Sequence, residues 1–308
     1  MAALTGEKKR RLDMHNGWPQ PVAFRAEGEF RKLIQKSSSP APFVAARLGE
    51  STSNEFHIYL GNLVDGLDAL PYRPDYMSDH CFRIIDGGGK QATNEKGTGG
   101  AVKNLAHELF KQDQKHWTEI VDVLSQGMPT YTGQYIAKNV ILSAAQKIDH
   151  HDEIYRRVKY SLGSRLADFI AKYPNGVSGS AYRGGNYIRK LLATSSPTST
   201  PSTGYVNLDL NSSSNLLPAD EKLRLIISLL LYMLRNERQH GATVSPFRSS
   251  TANLKRYAHF YYAAICAYSV ALGVISLRFP TVVTSTDILS VTTANIAELK
   301  LFFGANAT

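Results

Sequence analysis

The chain has 308 residues, 43 % of them hydrophobic and 20 % charged, the make-up of an ordinary globular protein rather than a disordered one. Lys and Arg outnumber Asp and Glu by 35 to 26, giving a formal charge of +9 and an isoelectric point near 9.4, so a polyanion is a natural partner. The two cysteines, Cys81 and Cys266, exclude a disulfide framework and a cysteine-rich zinc site, and they fit a reducing cytoplasm.

Residues 1–50 carry nine Lys/Arg against five Asp/Glu, have weak periodicity, and read as an irregular basic N-terminal extension with a short helix at 26–36. Lys8-Lys9-Arg10-Arg11 leads into no apolar segment, so no secretory signal is expected. Helical spacing begins with Ile58, Leu63, Leu67 and Leu70 and stops at Pro71. The stretch Gly87 to Gly100 reads as a loop; it fails as a phosphate-binding loop because Gln91 stands where Ser or Thr is needed. A helical insertion is expected at about 100–194. Its clearest signal is Ile154, Val158, Leu162, Leu166 and Ile170, recurring every fourth residue as in one amphipathic helix.

Residues 195–204 are all Ser, Thr, Pro or Gly, and with 205–217 they form a flexible linker. A pair of helices follows over 218–279. The first opens with Pro218 and runs through the apolar segment Leu225 to Leu234; the second starts near Ser249-Ser250-Thr251, which are suitable N-caps, and ends before Pro280. Within it, Tyr257 to Leu277 has no charged residue and is long enough to cross a bilayer. His259 and four tyrosines lower its hydrophobicity, so a buried helix is expected and no membrane partner. Residues 281–308 read as a C-terminal tail with a final short helix, Ala294 to Phe303.

The chemistry concentrates in Arg235-Asn236-Glu237-Arg238-Gln239-His240, followed at once by Gly241. An always-charged guanidinium and a group titrating near neutrality sit together where an apolar helix stops. Five residues on a regular helix lie about 140° around and about 7.5 Å along, so Arg235 and His240 diverge if the helix continues. Gly241 favours an end there, which frees His240 to swing toward Arg235. The competing reading is a cationic cap, with Arg238 and His240 answering the helix dipole. Residues 221–260 hold seven Lys/Arg against Glu221 and Glu237, so the basic surplus surrounds this segment.

The pattern R-N-x-x-x-H-G, closing an apolar helix and leading through a short loop into a second long one, resembles the HEPN family. That family's hallmark is Arg, four to six residues, then His, with a polar residue commonly after the Arg; Arg235, Asn236 and His240 match it. Leu67 to Tyr76, with Asp79 to Arg83, looks like the first-helix region of some members. The resemblance covers about 55–90 and 205–280. It implies an all-α helical bundle at 51–280, usually a homodimer, and often a metal-independent RNase of toxin, abortive-infection or antiviral defence systems, with an antitoxin or sensor as partner. In the branch silenced by tyrosine modification a Tyr stands two residues after the His; this chain has Ala242 there.

On that basis the expected activity is a cytoplasmic endoribonuclease that uses no metal and no cofactor. Arg235, Asn236 and His240 form the catalytic set, and Arg238, Arg248, Lys255 and Arg256 contact RNA phosphates. The alternative is a non-catalytic RNA- or nucleotide-binding module that regulates a partner. Asp149 to Glu153 resembles metal-ligand material, but adjacent helical residues point apart, so a solvated junction is expected. Cys81 beside His80 reads as a buried structural thiol. Phe260 and the tyrosines at 257, 261, 262 and 268 read as core rather than as base-stacking residues.

Overall fold

The computed structural model describes residues 6–20, 22–37, 41–198, 204–239 and 247–307. The described residues are 73 % helical, with no strand among them, and the expected all-α class holds. It opens with α1 (Gly6–Asn16), α2 (Arg25–Lys36), α3 (Asn54–Asp68) and α4 (Pro74–Thr93). Next come α5 (Thr98–Gln112), α6 (Gln114–Gln126), α7 (Thr130–Ala144), α8 (His151–Leu162), α9 (Arg165–Lys172) and α10 (Ser180–Ala193). After two 3₁₀ turns, α11 (Ala219–Ile226), a π-helical segment (Ile227–Leu231) and α12 (Tyr232–Gln239) continue one another, and α13 (Leu254–Arg278) and α14 (Ser285–Phe303) complete the bundle.

α13 lies at the centre because it is apolar on every side, and a helix without a polar face must be enclosed. Its twenty consecutive residues from Tyr257 to Ser276 are all buried. α4 packs most extensively against it, and α14, α2, α5, α7 and the π-helical segment surround the rest. The apolar window that suggested a bilayer span is 94 % covered by the protein's own helices. Close approach is achieved through glycine. A Cβ at Gly273 would lie 2.5 Å from Trp117 Cζ2, and one at Gly88 would lie 2.5 Å from Val274 Cγ1.

Several elements differ from the sequence reading. The N-terminal extension is not irregular throughout: it holds two helices, and α2 packs on α13 through the buried Phe30. Gly87 to Gly89 are helical, inside α4, because neighbouring apolar residues and the α13 surface outweigh the weak helix propensity of glycine. Thr98 to Gly100 likewise form the first turn of α5. The four-residue repeat from Ile154 to Ile170 spans two helices, since Gly163 takes a φ of +55° and ends α8. The N-cap of α13 is Asn253, whose side chain accepts from the Arg256 N–H, rather than Ser249 to Thr251. The segment 281–308 is no tail. α14 runs the length of Ser285–Phe303, is closed by a Thr284/Asp287 capping box, and packs on α6 and α13.

Candidate functional site

α12 carries Arg235 and Asn236 just downstream of the π-helical segment. A π segment inserts an extra residue per turn and rotates everything after it, and such segments recur at functional sites. Arg235 Nη1 donates to Asn236 Oδ1 at 3.0 Å, and the guanidinium carbon sits 5.9 Å from the Phe82 ring centre on α4. Its Nε is hidden from solvent without an acceptor, and among the described residues no carboxylate forms an ion pair with it. Its charge acts on Asp86 of α4, whose carboxyl is held low. Burial raises the Asp86 value, but hydrogen bonds from Lys90 and Thr98, with the Lys90 and Arg235 charges, outweigh it. His240, Gly241 and Ala242 lie outside the described residues.

Arg238 is placed quite differently. Its Nη1 donates to Asp75 Oδ2 at 2.6 Å and its Nη2 reaches Asp79 Oδ2 at 2.7 Å, both carboxylates belonging to α4. Asp75 is fully buried and also takes two donors from Arg73, whose guanidinium lies 3.7 Å from the Tyr76 ring centre. Burial opposes the Arg238 charge, but the two carboxylates overcome it and raise the guanidinium further above its ordinary value. For Asp79, burial dominates and raises the carboxyl despite Arg238. This network rivets the motif helix to the start of α4. A phosphate could engage Arg238 only by displacing Asp75 or Asp79.

The other expected phosphate contacts are dispersed. Arg248 Nε donates to Glu27 Oε1 at 2.9 Å, and its guanidinium covers the Phe24 ring. Lys255 is exposed; Arg256 lies over the Tyr131 ring, with Nη1 3.3 Å from Ser249 Oγ. The tyrosines of α13 and Phe260 are buried, as expected for core. The Tyr261 hydroxyl donates to the Pro71 carbonyl and that of Tyr262 to the Leu124 carbonyl. Burial raises both cysteine thiols, Cys266 to about 12, as befits structural cysteines. At 149–153, His151 faces Asp152 and begins α8; among the described residues no three His, Cys, Asp or Glu side chains converge on a point.

One group of residues beside the motif escaped sequence reasoning. Glu237 turns away from Arg235 toward α7, where its electrostatic neighbours are Tyr135, Lys138 and Asn139. Burial raises its carboxyl, against the lowering influence of those three. His259 of α13 lies near the same helix, its Nδ1 3.0 Å from Thr132 Oγ1 and its ring 5.1 Å from that of Tyr135. Three atoms here, Tyr135 Oη, Asn139 Nδ2 and His259 Nε2, are buried and make no hydrogen bond of ordinary geometry among the described residues. The only sequence signal was the four-residue spacing of Tyr131, Tyr135 and Asn139, which says nothing of Glu237 lying opposite.

No family model, curated protein or solved structure matches the chain. What the fold and site define is therefore a class: an all-α protein that buries one apolar helix and holds an uncommitted arginine beside it.

Proposed function

We propose that the chain is a metal-independent endoribonuclease of HEPN type acting in a toxin or defence setting. The observation that supports this best is the contrast between the two motif arginines. Arg238 is fully engaged by carboxylates and fixes the helix, while Arg235 keeps donors without an acidic partner among the described residues. A guanidinium held in place yet unneutralised suits a phosphate, because its planar fork matches two phosphate oxygens.

In the proposed reaction His240 accepts the proton of a ribose 2′-OH. The 2′-oxygen attacks the adjacent phosphorus, the bond to the 5′-oxygen breaks, and that oxygen takes up a proton as it leaves. The products are a 2′,3′-cyclic phosphate and a 5′-hydroxyl. Arg235 stabilises charge developing on the phosphate oxygens, and Asn236 orients the guanidinium to which it is already bonded. A homodimer, implied by the family resemblance, would bring two such segments together across a twofold axis.

The decisive experiment incubates labelled RNA with the protein in EDTA. His240→Ala should lower the cleavage rate by about 100- to 10,000-fold. Arg235→Lys should also be severely impaired, because an ammonium lacks the two-pronged geometry. Equal activity of parent and His240→Ala, or equal cutting of a DNA strand, would refute this mechanism. A second reading, a binding module that holds RNA without cutting it, is favoured by the rigid Arg238 clamp, and bound but intact RNA would establish it.

A further inference from the structure

Among the described residues, two kinds of arginine stand out. Arg73, Arg238, Arg248 and Arg278 are bonded closely to carboxylates on other helices or turns. Arg157, Arg224 and Arg235 also lie against aromatic rings, but none has a carboxylate closer than 3.5 Å, and each has a buried Nε without an acceptor. The second kind shares one face. Arg224 of α11 lies 4.6 Å from the centre of the Tyr160 ring on α8, and Lys103 of α5 brings its ammonium within 4.5 Å of the same ring. One turn earlier on α8, Arg157 lies 4.6 Å from the Tyr232 ring centre. Tyr232 stacks on Phe82 at 5.9 Å and 16°, and the Arg235 guanidinium lies 5.9 Å from the same Phe82 ring centre.

Cations and rings thus lie side by side from Lys103 to the motif across α5, α8, α11, α12 and α4, elements linked by mutual packing. The acids nearby are loosely placed. Glu221 is 3.5 Å from Arg224 and Glu153 is 3.9 Å from Arg157, each on its partner's own helix and partly exposed, and Asp86 is bonded to Lys90. Tyr160 is 44 % exposed, so a base can reach its ring by displacing one of the two flexible cations that lie over it. Arg224 and Arg235 are eleven residues apart, about 16 Å along the helix, which is the reach of about four or five stacked nucleotides.

Resting on the nuclease reading above, we propose that this row is the path of a single-stranded RNA, leading from Tyr160 to Arg235. A base stacks on Tyr160 while Lys103, Arg224 and Arg157 take successive phosphates, delivering the next phosphate to Arg235. Rings set beside cations are what a strand without fixed sequence requires, since every base has a π face and every linkage a charge. The Arg248, Lys255 and Arg256 side of the molecule is then not the main track.

The test measures binding of a short fluorescent 2′-O-methyl RNA strand, which internal attack cannot cut, across a range of salt concentrations. Tyr160→Ala should weaken binding by about 5- to 100-fold, and Tyr160→Phe should restore it. Lys103→Gln and Arg157→Gln should each lower the salt slope by about 0.7. Lys300→Gln, on the exposed side of α14, should change neither. Thermal melts of all variants confirm folding, and unmodified RNA is assayed for cleavage alongside. Parent-like binding by Tyr160→Ala while the parent cuts RNA would overturn the track and leave the nuclease standing. Lost binding in Tyr160→Ala, with no cleavage by the parent, would keep the track and remove the nuclease. A parent that binds no strand overturns the track outright.

Discussion

Burial holds the His259 imidazole neutral, pushing its pKa from 6.5 down to about 3, with the Arg256 charge acting in the same direction. A depressed folded-state value means stability that is complete above the unfolded pKa and is lost as pH falls through the window from 6.5 toward 3. Lowering the pH from 7 to 5 should therefore cost about 2 kcal/mol through this residue alone. Glu237 has the opposite sign. Its raised carboxyl contributes stability below its ordinary value of 4.5, and that contribution disappears as pH rises through the folded value. The Glu237 window opens at 4.5, inside that of His259, so the His259 component is isolated by removing the imidazole itself. Chemical denaturation of parent and His259→Gln at pH 7 and pH 5 should show a markedly smaller pH effect in the variant. Identical pH effects would mean that the imidazole is not held neutral.

At the scale of elements, the Gly87-Gly88-Gly89 run inside α4 provides a paired experiment. A Cβ at Gly88 would press on Val274 Cγ1 and lie 2.9 Å from Tyr59 Oη, whereas at Gly87 nothing stands within 4 Å. Gly88→Ala should therefore destabilise by about 1–3 kcal/mol through overpacking. Gly87→Ala should stabilise by about 0.5–1 kcal/mol, because an exposed helical glycine gives up more chain freedom on folding. Urea titrations of the two variants should move in opposite directions. The same helix is joined to α12 by Arg238. Arg238→Ala leaves Asp75 buried with Arg73 as its remaining cation and Asp79 half-buried beside it, and should cost about 3–5 kcal/mol. If the clamp acts as described, a double-mutant cycle of Arg238→Ala with Asp79→Ala will be strongly non-additive. Additive losses would show the two residues to be energetically independent.

The whole molecule is organised around enclosing α13, and α14 contributes a face of that enclosure. Ile288, Leu299 and Phe303 are fully or almost fully buried there, each stabilising by about 1.5–3 kcal/mol. Together they approach the entire stability of an ordinary domain, about 5–15 kcal/mol. A chain ending at Phe279 should lose cooperative thermal unfolding and expose α13, seen as dye binding to apolar surface. Retention of a sharp transition would show that the remaining helices form a self-sufficient core.

The sequence by itself determined what local periodicity can carry. Apolar spacing placed a helix near 58–70 and helical structure over about 100–194, and an apolar run without a polar face marked α13 as the enclosed helix. It also singled out Arg235-Asn236 at the close of an apolar helix, because that pattern is written in consecutive residues. Tertiary structure decided everything that depends on a distant neighbour. Gly88 is helical because α13 and Tyr59 meet it there, and Ser285 to Thr293 become part of the final helix because α6 and α13 pack against it. Arg238 and Arg235 are three residues apart and chemically identical, yet one is paired with Asp75 and Asp79 while the other, among the described residues, has no ion pair and lies against the Phe82 ring and Asn236. Which arginine is a rivet and which keeps its donors is a question of what lies across the groove from each, and the partners sit about 160 residues away in the chain, beyond any local signal.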